Sequence, residues 1–152
     1  MVTVSDTRDE ASDASGRLIR DRLEAEGHRV IDYRIVPDEA DEIRNLLKQL
    51  THQQEVQVAI LNGGTGLSKR DVTYETVSSL LDKELTGFGE LFRWLSYEEI
   101  GPFAILSRAI AGAIGRMLVF SLPGSKAAVE LAMERLILPV LGHGVHELEK
   151  ER

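Results

Sequence analysis

The sequence predicts an α/β fold, a three-layer sandwich around a mostly parallel mixed sheet. Three observations lead there. Strand-like and helix-like stretches alternate along the 152 residues, the pattern of a sheet covered by helices on both faces. Val56–Leu61 is a near-continuous apolar run, as expected of a strand buried on both sides. Ala109–Ala113, a turn near Gly115-Arg116, and Met117–Leu122 read as a β-hairpin, which contributes one antiparallel strand. The length suits one domain with one core.

Taken in order, Met1–Ser5 reads as a short strand with Val2 and Val4 on one face, and Asp6–Ser15 as a polar turn. Helical periodicity begins near Gly16, places Leu18, Ile19, Arg22 and Leu23 together, and stops at Gly27. Val30–Val36 is rich in β-branched and aromatic residues and reads as a strand, punctuated by Pro37-Asp38. The next helix has Ile43, Leu46, Leu47 and Leu50 on one face, with Asp38 available as its cap. After Val56–Leu61 comes the loop Asn62-Gly63-Gly64-Thr65-Gly66, then a helix over roughly Thr73–Asp82. A further helix begins after Gly87, and Phe88, Leu91, Phe92 and Leu95 form its apolar stripe, with Trp94 off it. Behind the hairpin, Pro123-Gly124-Ser125 opens a last helix that runs to about Leu141. The charged tail Glu147–Arg152 reads as frayed.

Composition narrows the function. The formal net charge is −7 and the pI about 5.1, which argues against a nucleic-acid partner. There is no cysteine, so disulfides, iron–sulfur clusters and thiolate zinc sites are excluded. No apolar run is long enough to span a bilayer, and the start lacks the basic and apolar regions of a signal peptide. A cytoplasmic setting is the simplest reading. An acidic chain can still hold an anionic ligand locally, through backbone N–H groups, helix N-termini or a bound cation.

Gly63-Gly64-Thr65-Gly66 is the strongest local signal for such a site. Glycine allows positive φ and close approach of the backbone to a phosphate. Neither a P-loop nor a dinucleotide fingerprint fits, because Lys69 lies between Ser68 and Arg70 and stands where the fingerprint's third glycine belongs. A tight turn without a ligand is the plain alternative. In a sheet of this kind, ligands bind beyond the carboxyl ends of the strands, where Ser5-Asp6-Thr7, Gly63–Gly66 and Pro123-Gly124-Ser125 would meet. Asp38 and Asp71 read either as helix caps or as ligands of a magnesium ion, which reconciles acids with a neighbouring phosphate. Ser107-Arg108 reads as a surface pair or as a hydroxyl and cation facing an anion. Gly124-Ser125 is an N-cap whose geometry also suits an anion. His143 and His146 read as a solvated pair near the C-terminus.

These motifs occur in a familiar order. The chain resembles the MoaB/MogA family over nearly its whole length, through VTVSDTR (Val2–Arg8), DASG (Asp13–Gly16), VPDE (Val36–Glu39) and NGGTGLSKRDVTYE (Asn62–Glu75). GFGELFRWLSYEEIG (Gly87–Gly101), ILSRAIAG (Ile105–Gly112) and LPGS (Leu122–Ser125) also match, and the Gly87–Gly101 segment points to the MoaB branch. The resemblance implies the molybdopterin-binding fold, a homotrimer or dimer of trimers, and a role in molybdenum cofactor biosynthesis. It further implies transfer of AMP from ATP to the terminal phosphate of molybdopterin, with Mg2+ as cofactor and hand-over of the product to the molybdenum-insertion enzyme. It assigns catalysis and magnesium to Asp38 and Asp71, phosphate contacts to Gly63, Gly64, Thr65 and Gly66, and ligand contacts to Ser107, Gly124 and Ser125. Ser5, Asp6, Arg70, Thr73 and Glu75, in or beside the same turns, complete the candidate set. The intact Arg70-Asp71-Val72-Thr73 segment favours activity. The alternatives are a non-catalytic molybdopterin- or precursor-binding protein and, from another class, a scaffolding domain.

Overall fold

Period-two alternation in the central strands fixes the layers. On one face of the sheet Ala59, Leu61 and Val119 meet Ile43, Leu46, Leu47, Leu50 and Val77. On the other, Ile60, Leu118 and Phe120 meet Ile19, Leu23, Phe88, Phe92, Val129 and Leu141. The computed structural model describes residues 1–150. Its elements are β1 (Val2–Val4), α1 (Ala14–Ala25), β2 (Arg34–Val36), α2 (Ala40–Thr51), β3 (Val58–Asn62), α3 (Thr73–Leu80), β4 (Lys83–Glu84) and α4 (Thr86–Ile100). They continue with a 3₁₀ helix (Gly101–Leu106), β5 (Ile110–Ile114), β6 (Met117–Leu122), α5 (Lys126–Ala132), a π-helical turn (Met133–Ile137) and α6 (Leu138–Glu149). The layer of α2 and α3 covers one face, and α1, α4, α5 and α6 cover the other.

Strand order is β2-β1-β3-β6-β5-β4. β1 pairs parallel with β2 and β3, β3 pairs parallel with β6, and β5 is antiparallel to both its neighbours. One strand therefore runs against the rest, as the hairpin implies. Helix α1 carries the chain from β1 outward to β2, and α2 returns it over the opposite face to β3. The loops leaving β1 and β3 thus diverge around a crevice at the carboxyl ends of the strands. No described helix is long and apolar enough to cross a membrane.

Several boundaries differ from the sequence reading, each for a physical reason. Helix α1 starts at Ala14, because Asp13 caps it by accepting from the Gly16 N–H. It ends just before Gly27, at φ +81°. The second strand shortens to Arg34–Val36, since its ladder partner β1 spans only Val2–Val4. Strand β4 was not foreseen; two exposed residues carry no alternation, and only pairing with Gly112 and Ala113 makes them a strand. The α4 stripe is rotated: Phe88, Gly89, Phe92 and Ser96 are buried, while Leu91 is 55% exposed. Gly89 permits this, because a Cβ there would lie 2.9 Å from the Ala109 carbonyl oxygen. The last helix continues to Glu149 through the π-helical turn, in which the Leu138 N–H bonds Met133 O just before Pro139. Wider turns of this kind accommodate a proline, which lacks the N–H of an α-helical interior. Of the tail read as frayed, residues 151 and 152 lie outside the described residues.

Phe92 is fully buried, stacked on Phe88 at 6.4 Å, and Phe88 meets Phe120 edge-on at 5.3 Å. This aromatic group fastens α4 to the sheet. Phe92→Ala is expected to lower unfolding free energy by about 3–5 kcal/mol, read as a reduced denaturant midpoint with an unchanged slope. A midpoint equal to wild type would show that α4 is held elsewhere.

Candidate active site

Glycines bring three loops into backbone contact at the crevice. Gly63, at φ +101°, donates to Leu122 O at 3.0 Å, and a Cβ on it would collide with the Val4 carbonyl. A Cβ on Gly124 would stand 3.1 Å from Gly63 Cα. The loops after β1, β3 and β6 are thereby drawn together around an open cleft of about 610 Å³. Ser5, Asp6, Arg8, Asp38, Gly63, Gly64, Thr65, Gly66, Arg70, Asp71, Ser107, Arg108 and Gly124 all line it. Among the described residues, no protein acceptor takes the N–H of Gly64, Thr65 or Gly66. Polar N–H groups left open in a concave loop suit an anion.

The carboxylates occupy one wall. Asp38 is buried and does not cap α2; Glu39 holds the cap position and makes no side-chain cap bond. Asp38 Oδ1 instead accepts from Val72 N at 3.2 Å, and the Asp38 N–H donates to Asp6 Oδ1 at 3.1 Å. Asp71 does not cap α3 either; its Oδ2 accepts from Ser68 N at 3.2 Å and would lie 2.8 Å from a Cβ on Gly66. Neither residue therefore caps the helix that follows it, and Asp38 instead satisfies the N–H of Val72, the cap residue of α3. Burial pushes the Asp38 carboxyl above the usual aspartate range, with the nearby charges of Asp71 and Asp6 acting in the same direction. Thr73, 0% exposed, presents an Oγ1 with no hydrogen-bond partner, and a Cβ on Gly64 would collide with it while coming within 2.7 Å of both Asp38 oxygens.

Arg70 lines the cleft but is committed to acids. It grips Asp6 at 2.8 and 3.0 Å and Glu39 at 2.8 Å, and its hydrogen bonds hold the Asp6 carboxyl below the usual range. Arg108 is committed as well. It donates to Thr65 O at 2.8 Å and Gly66 O at 2.6 Å, pairs with Glu75, and lies 4.9 Å from the centre of the Tyr74 ring. In a trans peptide C=O and N–H point opposite ways. Anchoring the Thr65 carbonyl therefore turns the Gly66 N–H away from the guanidinium. Arg108 is a clamp on the glycine loop, and Glu75 positions the clamp from outside the cleft wall. Ser125 is likewise off the wall; it caps α5, accepting from Ala128 N at 3.3 Å. The Ser5 hydroxyl accepts from Thr7 N at 3.2 Å and Arg8 N at 3.1 Å, which shapes the first loop.

Two residues of the site escaped the sequence reading. Arg8 lines the cleft and donates to Gly124 O at 3.0 Å. Asp13 lies beneath it, fully buried, accepting from Thr3 Oγ1 at 2.5 Å, Tyr33 OH at 2.6 Å and Gly16 N at 2.8 Å. An aspartate just before a helical stretch is an N-cap signal, so the position of Asp13 is legible in the sequence. Its contact with Tyr33, across the first crossover, is not.

Comparison with known proteins identifies the family of the chain. Residues 1–143 match the family model described as "Probable molybdopterin binding domain". The chain is 55% identical over 152 residues to molybdenum cofactor biosynthesis protein B of Bacillus cereus, covering 99% of this chain and 90% of that protein. It is 48% identical over 153 residues to the Bacillus subtilis protein of the same name, covering 100% and 90%. Among solved structures, a molybdenum cofactor biosynthesis protein B superposes with TM-score 0.95 at 55% identity, covering 98% of this chain and 93% of that one. The tungsten cofactor synthesizing protein MoaB from Pyrococcus furiosus gives 0.83 at 40% identity, covering 97% and 93%. The chain belongs to the MoaB/MogA family of molybdenum cofactor biosynthesis proteins, and to its MoaB branch.

Proposed function

We propose that the cleft binds molybdopterin together with ATP and transfers AMP to the terminal phosphate of the pterin. One observation carries this reading: open backbone N–H groups of the glycine loop share a cleft with two carboxylates that do not cap the helices following them. In the reaction an oxygen of the pterin phosphate forms a bond to the α-phosphorus of ATP. The bond from that phosphorus to the α–β bridging oxygen breaks, and its electron pair leaves with pyrophosphate. The nucleophile is already ionised, so no serine, cysteine or histidine is needed. What remains for the protein is positioning and charge stabilisation.

Asp38 and Asp71 would hold magnesium, which supplies positive charge to the nucleotide phosphates. The residues fit that ion. Their hard oxygens suit it, and burial beside the charges of Asp71 and Asp6 raises the Asp38 carboxyl, a strain that a bound cation would relieve. Among the described residues no three His, Asp or Glu side chains form a metal group of their own. Phosphate oxygens would therefore complete the coordination, as is usual for magnesium. Gly64, Thr65 and Gly66 hold phosphate through their N–H groups, and Arg108 fixes the loop.

The test combines purified protein, molybdopterin, ATP and magnesium, followed by mass spectrometry. Adenylylated molybdopterin supports the transferase. Molybdopterin binding without product would leave a carrier of the same pathway; no binding would reject both. Hand-over of the product to the molybdenum-insertion enzyme and a cytoplasmic location belong to the same reading.

Assembly as a homotrimer or dimer of trimers is part of this proposal. Trp94, Tyr97, Ile100, Phe103 and Ile105 are exposed along α4 and the 3₁₀ helix, Trp94 by 64% and Ile105 by 83%. So many large apolar side chains left exposed within one stretch of chain favour association. Light scattering is expected to give at least a trimeric mass for wild type and a lower mass for Trp94→Ala at the same micromolar concentration. A monomeric wild type would reject the assembly.

A further inference from the structure

The cleft is lined by three arginines, and they differ in what they have left to offer. The Arg70 side chain is locked by Asp6 and Glu39, and that of Arg108 by Glu75 and two loop carbonyls. Among the described residues, the Arg8 guanidinium gives one hydrogen bond, from Nη2 to Gly124 O. Its nearest carboxylate is Asp13, whose Oδ1 stands 3.7 Å from Nη1, beyond hydrogen-bond range. Asp13 is already engaged by Thr3, Tyr33 and the Gly16 N–H. Burial alone pushes the Asp13 carboxyl up, yet those hydrogen bonds and Arg8 bring it below the usual range. Burial and Asp13 in turn push the Tyr33 hydroxyl up to about 12, so it stays a donor. Asp13 therefore orients Arg8 electrostatically without filling its donor fork.

We propose that Arg8 grips a phosphate group of the bound ligand at the Gly124 end of the cleft. This rests on the phosphate-ligand reading above and adds the residue that supplies the cation. A guanidinium only a third exposed, with adjacent N–H donors unengaged, matches phosphate oxygens in charge and in fork geometry. The same end presents Gly124, where a side chain would approach the Arg8 guanidinium within 3.8 Å. The cleft's charged groups then divide the work: the Asp38 and Asp71 carboxylates would hold a cation, and Arg8 holds an anion.

The test measures affinities of the full chain for three probes: molybdopterin without ATP, ATP with magnesium, and inorganic pyrophosphate. Arg8→Gln removes the charge, Arg8→Lys keeps the charge but loses the fork, and thermal melts confirm folding of both. Arg8→Gln is expected to weaken at least one probe about 10- to 100-fold and to flatten its salt dependence, with Arg8→Lys intermediate. Weakening confined to molybdopterin assigns the pterin phosphate to Arg8, and weakening confined to ATP assigns the nucleotide. Wild-type affinity of Arg8→Gln for all three probes overturns the inference. If wild type binds neither molybdopterin nor ATP, the transferase reading fails, and pyrophosphate alone decides Arg8: a loss in Arg8→Gln upholds it, while equal affinities or no binding overturn it.

Discussion

Asp38→Asn and Asp71→Asn are each expected to reduce adenylylation by about two to four powers of ten, or about 3–5 kcal/mol of transition-state stabilisation. Asparagine keeps the size and the acceptor oxygen of each side chain. The bonds from Val72 N and Ser68 N can therefore persist, and only the charge that a magnesium ion needs is lost. If both act through one metal, the double variant should lose less than the sum. Stability should move the other way for Asp38. Its carboxyl lies above the usual range in the folded chain, so charging it costs the fold stability, and that cost appears as pH rises through the gap between unfolded and folded values. Below that window the carboxyl is protonated in both states and Asp38→Asn should melt like wild type. Above it, the ligand-free variant should melt higher. A variant that is slow and also less stable at neutral pH would return Asp38 to a structural role.

Gly64→Ala is expected to disable the site from the backbone. The residue sits at φ +65°, and an added methyl would meet Thr73 Oγ1 and both Asp38 carboxylate oxygens. Strain of this kind costs about 1–3 kcal/mol, and relief requires moving either the loop or the carboxylate. Ligand affinity and melting temperature should fall together. Gly66→Val is a useful contrast. Gly66 has no positive φ, and its added Cβ would meet the Asp71 carboxylate, the end of a side chain rather than backbone. Affinity should fall there while the melt stays near wild type. Calorimetric titration beside thermal melts checks both; wild-type affinity in both variants would show the loop to be a turn and nothing more.

Local pattern made much of this readable. The stripe Ile43, Leu46, Leu47 and Leu50 is buried in α2, and the apolar run before Asn62 became the central strand β3. The hairpin supplied the antiparallel strand, and the glycine loop fell at the switch point. What escaped depends on partners distant in sequence. Strand β4 exists only through β5, and the rotated face of α4 depends on Gly89 meeting Ala109. Arg108 and Arg70 were legible as cations but not as clamped ones, because Glu75, Asp6 and Glu39 reach them across 33, 64 and 31 residues. Asp38 and Asp71 were equally good caps on paper. Only the placement of Glu39 and Val72 at the two cap positions removed that explanation.

The most direct test of the central claim follows the phosphates of ATP. Purified protein in excess over molybdopterin is given ATP labelled at the α position in one arm and at the γ position in the other, with magnesium and with a chelator. Transfer of AMP requires the α label on the pterin and the γ label in pyrophosphate, both abolished by the chelator. The γ label in inorganic phosphate, or an unlabelled pterin that nonetheless binds the protein, would contradict it.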